Sequence, residues 1–139
     1  MSRSAATGPL QSGSQADSVT RVFAWLNGLV FVAIGLGFAV FVHEAARGLG
    51  ISFSNPAGLG DFRAVYGGVQ LALGASILFL AVRKSYRDAV TVGLLAVTGL
   101  ATVRLISMAL EPAAGALQWH LLAPELMGVL ANALVLRFR

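Results

Sequence analysis

Four stretches of this chain are apolar for the length of a membrane crossing, and short polar segments separate them. Runs of about twenty apolar residues are the direct membrane signal, because a hydrocarbon core is roughly 30 Å thick and a helix rises about 1.5 Å per residue. The first stretch, Val22–Val42, has no charge and one amide, Asn27. Phe23 and Trp25 near its start and Phe41 at its end fit interfacial anchors. The second is Phe62–Val82, the third Ala89–Leu110, and the fourth Trp119–Leu136, which Pro124-Glu125 interrupts. Pro124 lies near the end of its stretch, where a first-turn position or a mild kink is tolerated. The pattern predicts an all-α integral membrane protein, an antiparallel four-transmembrane-helix bundle over residues 22–139.

The segments between the stretches read as turns and tails. Residues 1–21 are rich in Ser, Ala, Gly and Gln, with Pro9 and no hydrophobic period, and predict a disordered, solvated tail. No Ala-x-Ala site follows a short apolar core, so this is not a signal peptide. The connection His43–Asp61 contains Asn55-Pro56 and two glycines, a turn signal, with Asp61 as the expected N-cap of the second helix. Ile51 and Phe53 in that connection are apolar enough to dip against the bundle or lipid. Ala33/Gly37 and Gly35/Ala39 are small pairs at four-residue spacing, which let another helix approach closely.

At 100° per residue the second stretch has two marked faces. Arg63, Tyr66, Gly67, Gln70 and Gly74 fall on one side. Gly68, Ala72 and Ser76 form a small-residue stripe on the other, suited to close helix contact. The glycines of this helix, Gly67, Gly68 and Gly74, read as packing residues and not as phosphate loops.

Composition agrees with a membrane setting: 57% apolar and 12% charged residues, with a mean hydropathy of +0.78. There is no cysteine, which excludes disulfides, thiolate metal sites and cysteine nucleophiles. His43 and His120 are too few for a histidine cluster, and His43 and Glu44 are adjacent and point apart, so no metal and no cofactor is expected. The net charge of +4 reads as topology and not as nucleic-acid binding. Arg3, Arg21, Arg83, Lys84, Arg87, Arg137 and Arg139 fall in the tail, the second connection and the C-terminus. The first connection and the helix edge after it hold only Arg47 and Arg63, and the third connection has no cation. The positive-inside rule then places both termini in the cytoplasm, in a multi-pass protein of the plasma membrane.

One cation breaks the pattern. Arg104 stands inside the third stretch, where an arginine costs roughly 2.5–3.5 kcal/mol and each Leu, Ile or Val returns about 0.3–0.6. Ten such residues offset that cost, so insertion is retained. Arg104 and Glu125 are equidistant from the middle of the third connection, which puts them at about the same depth, roughly 9 Å below the outer boundary. Opposite charges at one depth in lipid are expected to pair. Helical side chains lean toward their own N-terminus, so Arg63 snorkels outward with ease while Arg104 leans deeper and needs Glu125 or Gln70. Asn132 follows Glu125 two turns deeper. The outer half is thus expected to gather Arg63, Tyr66, Gln70, Arg104, Ser107 and Glu125.

Three motifs in order carry a resemblance. Asp61-Phe-Arg63-x-x-x-Gly67 with Gly74 beyond it, Gly99-Leu-Ala-Thr-Val-Arg104-Leu-Ile-Ser107, and Glu125 resemble the second-, third- and fourth-helix motifs of a bacterial membrane family. That family is the one catalogued as domain of unknown function 4345, and the resemblance covers Val22 to the C-terminus. The turn Glu111-Pro-Ala-Ala-Gly115 departs from the family's Gly-x-Pro. The resemblance implies the four-helix architecture and the notable positions, and no substrate. In gross architecture the family is similar to DoxX-type four-helix proteins, some of which are membrane components of oxidoreductase systems.

No Ser/His/Asp arrangement is present to argue for catalysis. The polar interior admits three roles. The first is a binding module, holding a small amphipathic or anionic molecule such as a lipid or quinone against Arg104 and Arg63. The second is an accessory subunit, whose small-residue stripes dock a membrane-protein partner or a second copy. The third is a proton-coupled transporter or oxidoreductase component using the Arg104–Glu125 pair, which the lack of internal repeats makes the weakest.

Overall fold

In the computed structural model, residues 11–111 and 115–137 are described, and every regular element among them is helical. The elements are α1 (Gln11–Val40), α2 (Val42–Gly48), α3 (Pro56–Phe62), a π-helical turn (Arg63–Gly68), α4 (Val69–Val82), α5 (Tyr86–Leu110) and α6 (Gly115–Arg137). The α3, π and α4 segments form one continuous helix, Pro56–Val82. With Asp17–Val40, Tyr86–Leu110 and Gly115–Arg137 it makes four helices of 23 to 27 residues, each long and apolar enough to cross a membrane. The chain is a multi-pass membrane protein. Its surface agrees, since Leu29, Leu36, Phe79, Leu95, Val103, Met127 and Leu130 are all exposed. A water-soluble protein of this size would bury such a set.

The boundaries differ from the sequence reading at three places. Helix α1 begins at Gln11, inside the segment expected to be a disordered tail. Nothing after Pro9 forbids helix there, and Thr20 is buried in the bundle. Residues 1–10 lie outside the described residues. Second, the first helix stops at Val40, and a separate short helix, α2, packs Val42 and Ala46 inward. Gly50, at φ +70°, closes α2. The Gly50 N–H donates to the Arg47 carbonyl (3.0 Å) and the Ile51 N–H to the Ala46 carbonyl (2.8 Å), a Schellman turn that aims Ile51 back at the bundle. Third, Asn55 and not Asp61 caps the second crossing. Asn55 Oδ1 accepts from the Gly58 N–H at 2.8 Å, and Pro56 occupies the first helical turn, where its fixed φ helps and its missing N–H costs nothing. Ile51 and Phe53 do dip inward, packing with Phe38, Leu49 and Leu59 around Phe62. This aromatic lid sits at one end of the bundle, here termed the capped end. The opposite, basic end carries Arg21 and the turn Arg83–Ser85.

Helix α1 lies centrally, packed on α4 and α5, while α6 packs mainly on α5, and α4 and α6 are not packed together. The α1–α4 contact runs backbone to backbone in opposite sequence sense. A Cβ on Gly28 would lie 2.6 Å from the Leu78 side chain, and one on Gly35 would lie 2.7 Å from the Leu71 backbone nitrogen. On the facing helix, a Cβ on Gly74 would meet the Val32 nitrogen at 2.7 Å and one on Gly67 the Ala39 nitrogen at 3.1 Å. Glycines seven residues apart on each helix thus mesh over two turns, the close approach that lets van der Waals contact hold helices in lipid. Of the small pairs noted in the first crossing, Gly35/Ala39 is used and Ala33/Gly37 is not. The packing face of the second crossing is also corrected. Gly67 and Gly74 pack, while Gly68, Ala72 and Ser76 lie on the exposed side. The reason is that α1 covers the face bearing the glycines that a backbone can reach.

Substitution of Gly74 by Ala is expected to lower stability in detergent by about 1–3 kcal/mol, the usual cost of overpacking. Gly68→Ala, on the open face, should stay within about 0.5 kcal/mol of wild type. Thermal unfolding of the two variants side by side checks this, and equal shifts would contradict the assigned packing face.

Candidate functional site: an ion pair and amide ties in the bundle interior

Polar side chains meet inside the bundle because they recur on the inward stripes of their helices. On α5 the stripe is Val90, Gly93, Val97, Ala101 and Arg104, spaced three or four residues apart and all more than half buried. On α6 it is Gln118, Leu122, Glu125, Gly128 and Asn132. Gly128 lies against Val97, which sets the register of the two helices. That register brings Arg104 and Glu125 together in a two-pronged ion pair. Arg104 Nε donates to Glu125 Oε2 at 2.8 Å and Nη2 donates to Oε1 at 2.6 Å. Nη1 donates to Gln118 Oε1 at 2.9 Å. The two side chains are only 20% and 12% exposed. The expected pair is present.

The expected alternative partner, Gln70, is not used. Arg104 is turned toward α6, where Glu125 and Gln118 take its donors, although α4 also packs on α5. Gln118 takes the place assigned to Gln70, although the sequence reading left Gln118 in the connection. A sequence signal existed, since Gln118 precedes Glu125 by seven residues and shares its face. Gln70 has a different standing: its Oε1 is buried and makes no hydrogen bond. A buried acceptor without a donor costs roughly 1–3 kcal/mol.

Tyr66 belongs to the π turn, a feature that recurs at functional sites because it re-aims side chains within a helix. Its ring stacks on Phe62 with centroids 4.4 Å apart and lies 5.5 Å from Phe38. Tyr66 is within electrostatic reach of Arg104 and is 41% exposed. Arg63 and Ser107 are not gathered in. Both are exposed, and Arg63 makes no ion pair among the described residues. Of the six residues expected to cluster, Arg104 and Glu125 join directly, Gln70 is partly buried one turn from Tyr66, and Tyr66, Arg63 and Ser107 are exposed.

Nearer the basic end, a second polar tie was only half legible. Asn27 Nδ2 donates to Asn132 Oδ1 at 2.6 Å, and Asn132 Nδ2 donates to the Gly128 carbonyl at 2.8 Å. Asn132 is 2% exposed. Gly93 makes room for this tie, because a Cβ there would lie 2.8 Å from Asn27 Nδ2. The tie links α1 to α6, two helices that otherwise touch little.

Removing one member of the ion pair leaves the other buried and unpaired. Arg104→Met and Glu125→Leu are therefore each expected to cost about 3–5 kcal/mol, whereas the two combined should recover most of that loss. Chemical unfolding of the two single variants and the double variant in one detergent measures the coupling. Additive losses would show that the pair contributes no mutual stabilisation.

Sequence comparison adds one result to this geometry. No curated protein and no solved structure matches the chain. Residues 19–136 match the family model described as a domain of unknown function, number 4345, which spans α1 to α6 and every polar contact above. The chain belongs to that family.

Proposed function

We propose that this protein is a binding module of the plasma membrane for a small amphipathic molecule, a lipid or quinone, with both termini cytoplasmic. The observation that carries the reading is the buried, unpartnered Gln70 Oε1 in the half of the bundle that holds Arg104 and Tyr66. A guanidinium has five N–H donors, and three of those on Arg104 are engaged. Two donors, a phenol and an orphaned carbonyl thus remain for a ligand bearing both a hydroxyl and a carbonyl. Glu125 neutralises Arg104 and Arg63 stands apart, which favours a neutral head over an anion. The α4 and α6 helices, being unpacked against each other, leave a side from which a lipid-soluble molecule can approach. The orientation rests on the cations at the basic end.

The exposed small stripe Gly68, Ala72 and Ser76 supports a second role alongside the first, as a docking face for a helix of a membrane partner or a second copy.

Gln70→Met and Tyr66→Phe keep side-chain volume and spare the ion pair. Mass spectrometry of protein purified in mild detergent is expected to find a small molecule on the wild type that is depleted several-fold in both variants. Equal retention in all three, or none on the wild type, would sink the binding reading. For the docking face, disulfide trapping of Ala72→Cys in native membranes should yield a crosslinked dimer if a second copy docks there, and a purely monomeric product would remove the second-copy reading.

A further inference from the structure

The capped end holds a second concavity, remote from the ion pair in its chemistry and its lining. It is a groove of about 600 Å3 between α2, the connection after it and the start of α3. One wall is α2, where His43 and Arg47 are four residues apart and so stand on the same face, one turn from each other. The opposite wall is polar but uncharged: Ser52, Ser54 and Asn55. Asn55 Oδ1 is already committed to the Gly58 N–H and Nδ2 donates one hydrogen to Ser54 Oγ at 3.5 Å, so this side chain has its second Nδ2 hydrogen to present. The floor is apolar, from Ile51, Phe53 and Leu59, which also pack on Phe62.

Charge decides what fits. No carboxylate lines the groove; Glu44 and Asp61, the acids of the neighbouring helices, are exposed and outside it. Arg47 makes no ion pair among the described residues. A guanidinium, an imidazole, two hydroxyls and an amide donor therefore converge with no internal anion to satisfy them. Arginine is suited to phosphate because its planar fork makes two parallel hydrogen bonds. Position decides the source. Helix α2 lies between the end of one crossing, at Val40, and the start of the next, at Pro56, and a connection between two crossings runs past the headgroups; Val40 and Phe41 beside it are exposed apolar side chains suited to lipid.

We infer that this groove binds the phosphate of an anionic lipid headgroup, with Arg47 and His43 on the phosphate, Ser52, Ser54 and Asn55 around it, and the first carbons of the lipid on the floor. The site needs neither Gln70 nor Tyr66, so it stands or falls apart from the interior binding reading. The test uses the full chain in a neutral maltoside detergent, titrated with phosphatidylglycerol, phosphatidylcholine or inorganic phosphate and followed by native mass spectrometry. Phosphatidylglycerol is expected to bind in preference to phosphatidylcholine. Arg47→Ala should weaken it about tenfold, the size of one charge-assisted hydrogen bond, and His43→Ala should weaken it in the same direction. Both residues are exposed, so their melting temperatures should stay at the wild-type value, and Gln70→Met should bind phosphatidylglycerol normally. Binding of inorganic phosphate with the same Arg47 dependence, without binding of the lipid, would keep the phosphate site and assign it to a soluble ligand. Equal binding of both lipids, or indifference to Arg47→Ala and His43→Ala together, overturns the proposal.

Discussion

Apolar helices in a bilayer gain little by exchanging lipid for one another, because the lipid tails are as apolar as leucine. Everything in this bundle depends on that constraint. What holds the helices together must be contact closer than lipid can make, or polar bonding that lipid cannot supply. The α1–α4 pair uses the first means, with Gly28 and Gly35 meshing against Gly67 and Gly74. The α5–α6 pair uses the second, through Arg104, Glu125 and Gln118. The Asn27–Asn132 bond ties the two pairs to each other.

The two polar layers differ in character. The amide layer near the basic end is closed around Gly93 and acts as a rivet. The layer toward the capped end is incomplete. Its ion pair is satisfied, but Gln70 Oε1 is buried without a donor, and Tyr66 stays partly open on a π turn. A bundle that needed polar residues only for cohesion would be expected to pair them all, as the amide layer does. The buried acceptor left without a donor is what distinguishes this layer from the amide layer.

Much of this was legible along the chain. Four apolar runs announce four crossings, and the cost of an unpaired arginine in lipid announces a partner for Arg104. Depth counted from the third connection singled out Glu125, because helix rise is the same everywhere and two crossings share one connection. The Asn55-Pro56 start and the short α2 helix were less legible. Their boundaries are decided by whether a capping side chain finds its N–H and whether Val42, Ala46 and Phe62 find one another. Propensity alone does not settle either point.

What the sequence determined, then, is the set of strong local constraints: span length, the cation distribution, and the need to neutralise Arg104. What only the tertiary structure decided is azimuth, meaning which face of each helix meets which neighbour. Gly67 and Gly74 pack while Gly68, Ala72 and Ser76 do not, and Gln118 rather than Gln70 completes the arginine. Hydropathy carries no such information here, because the outward faces are as apolar as the inward ones and both are at home in lipid. The choice of face is left to small residues and polar bonds, and these act only once the neighbouring helix is in place.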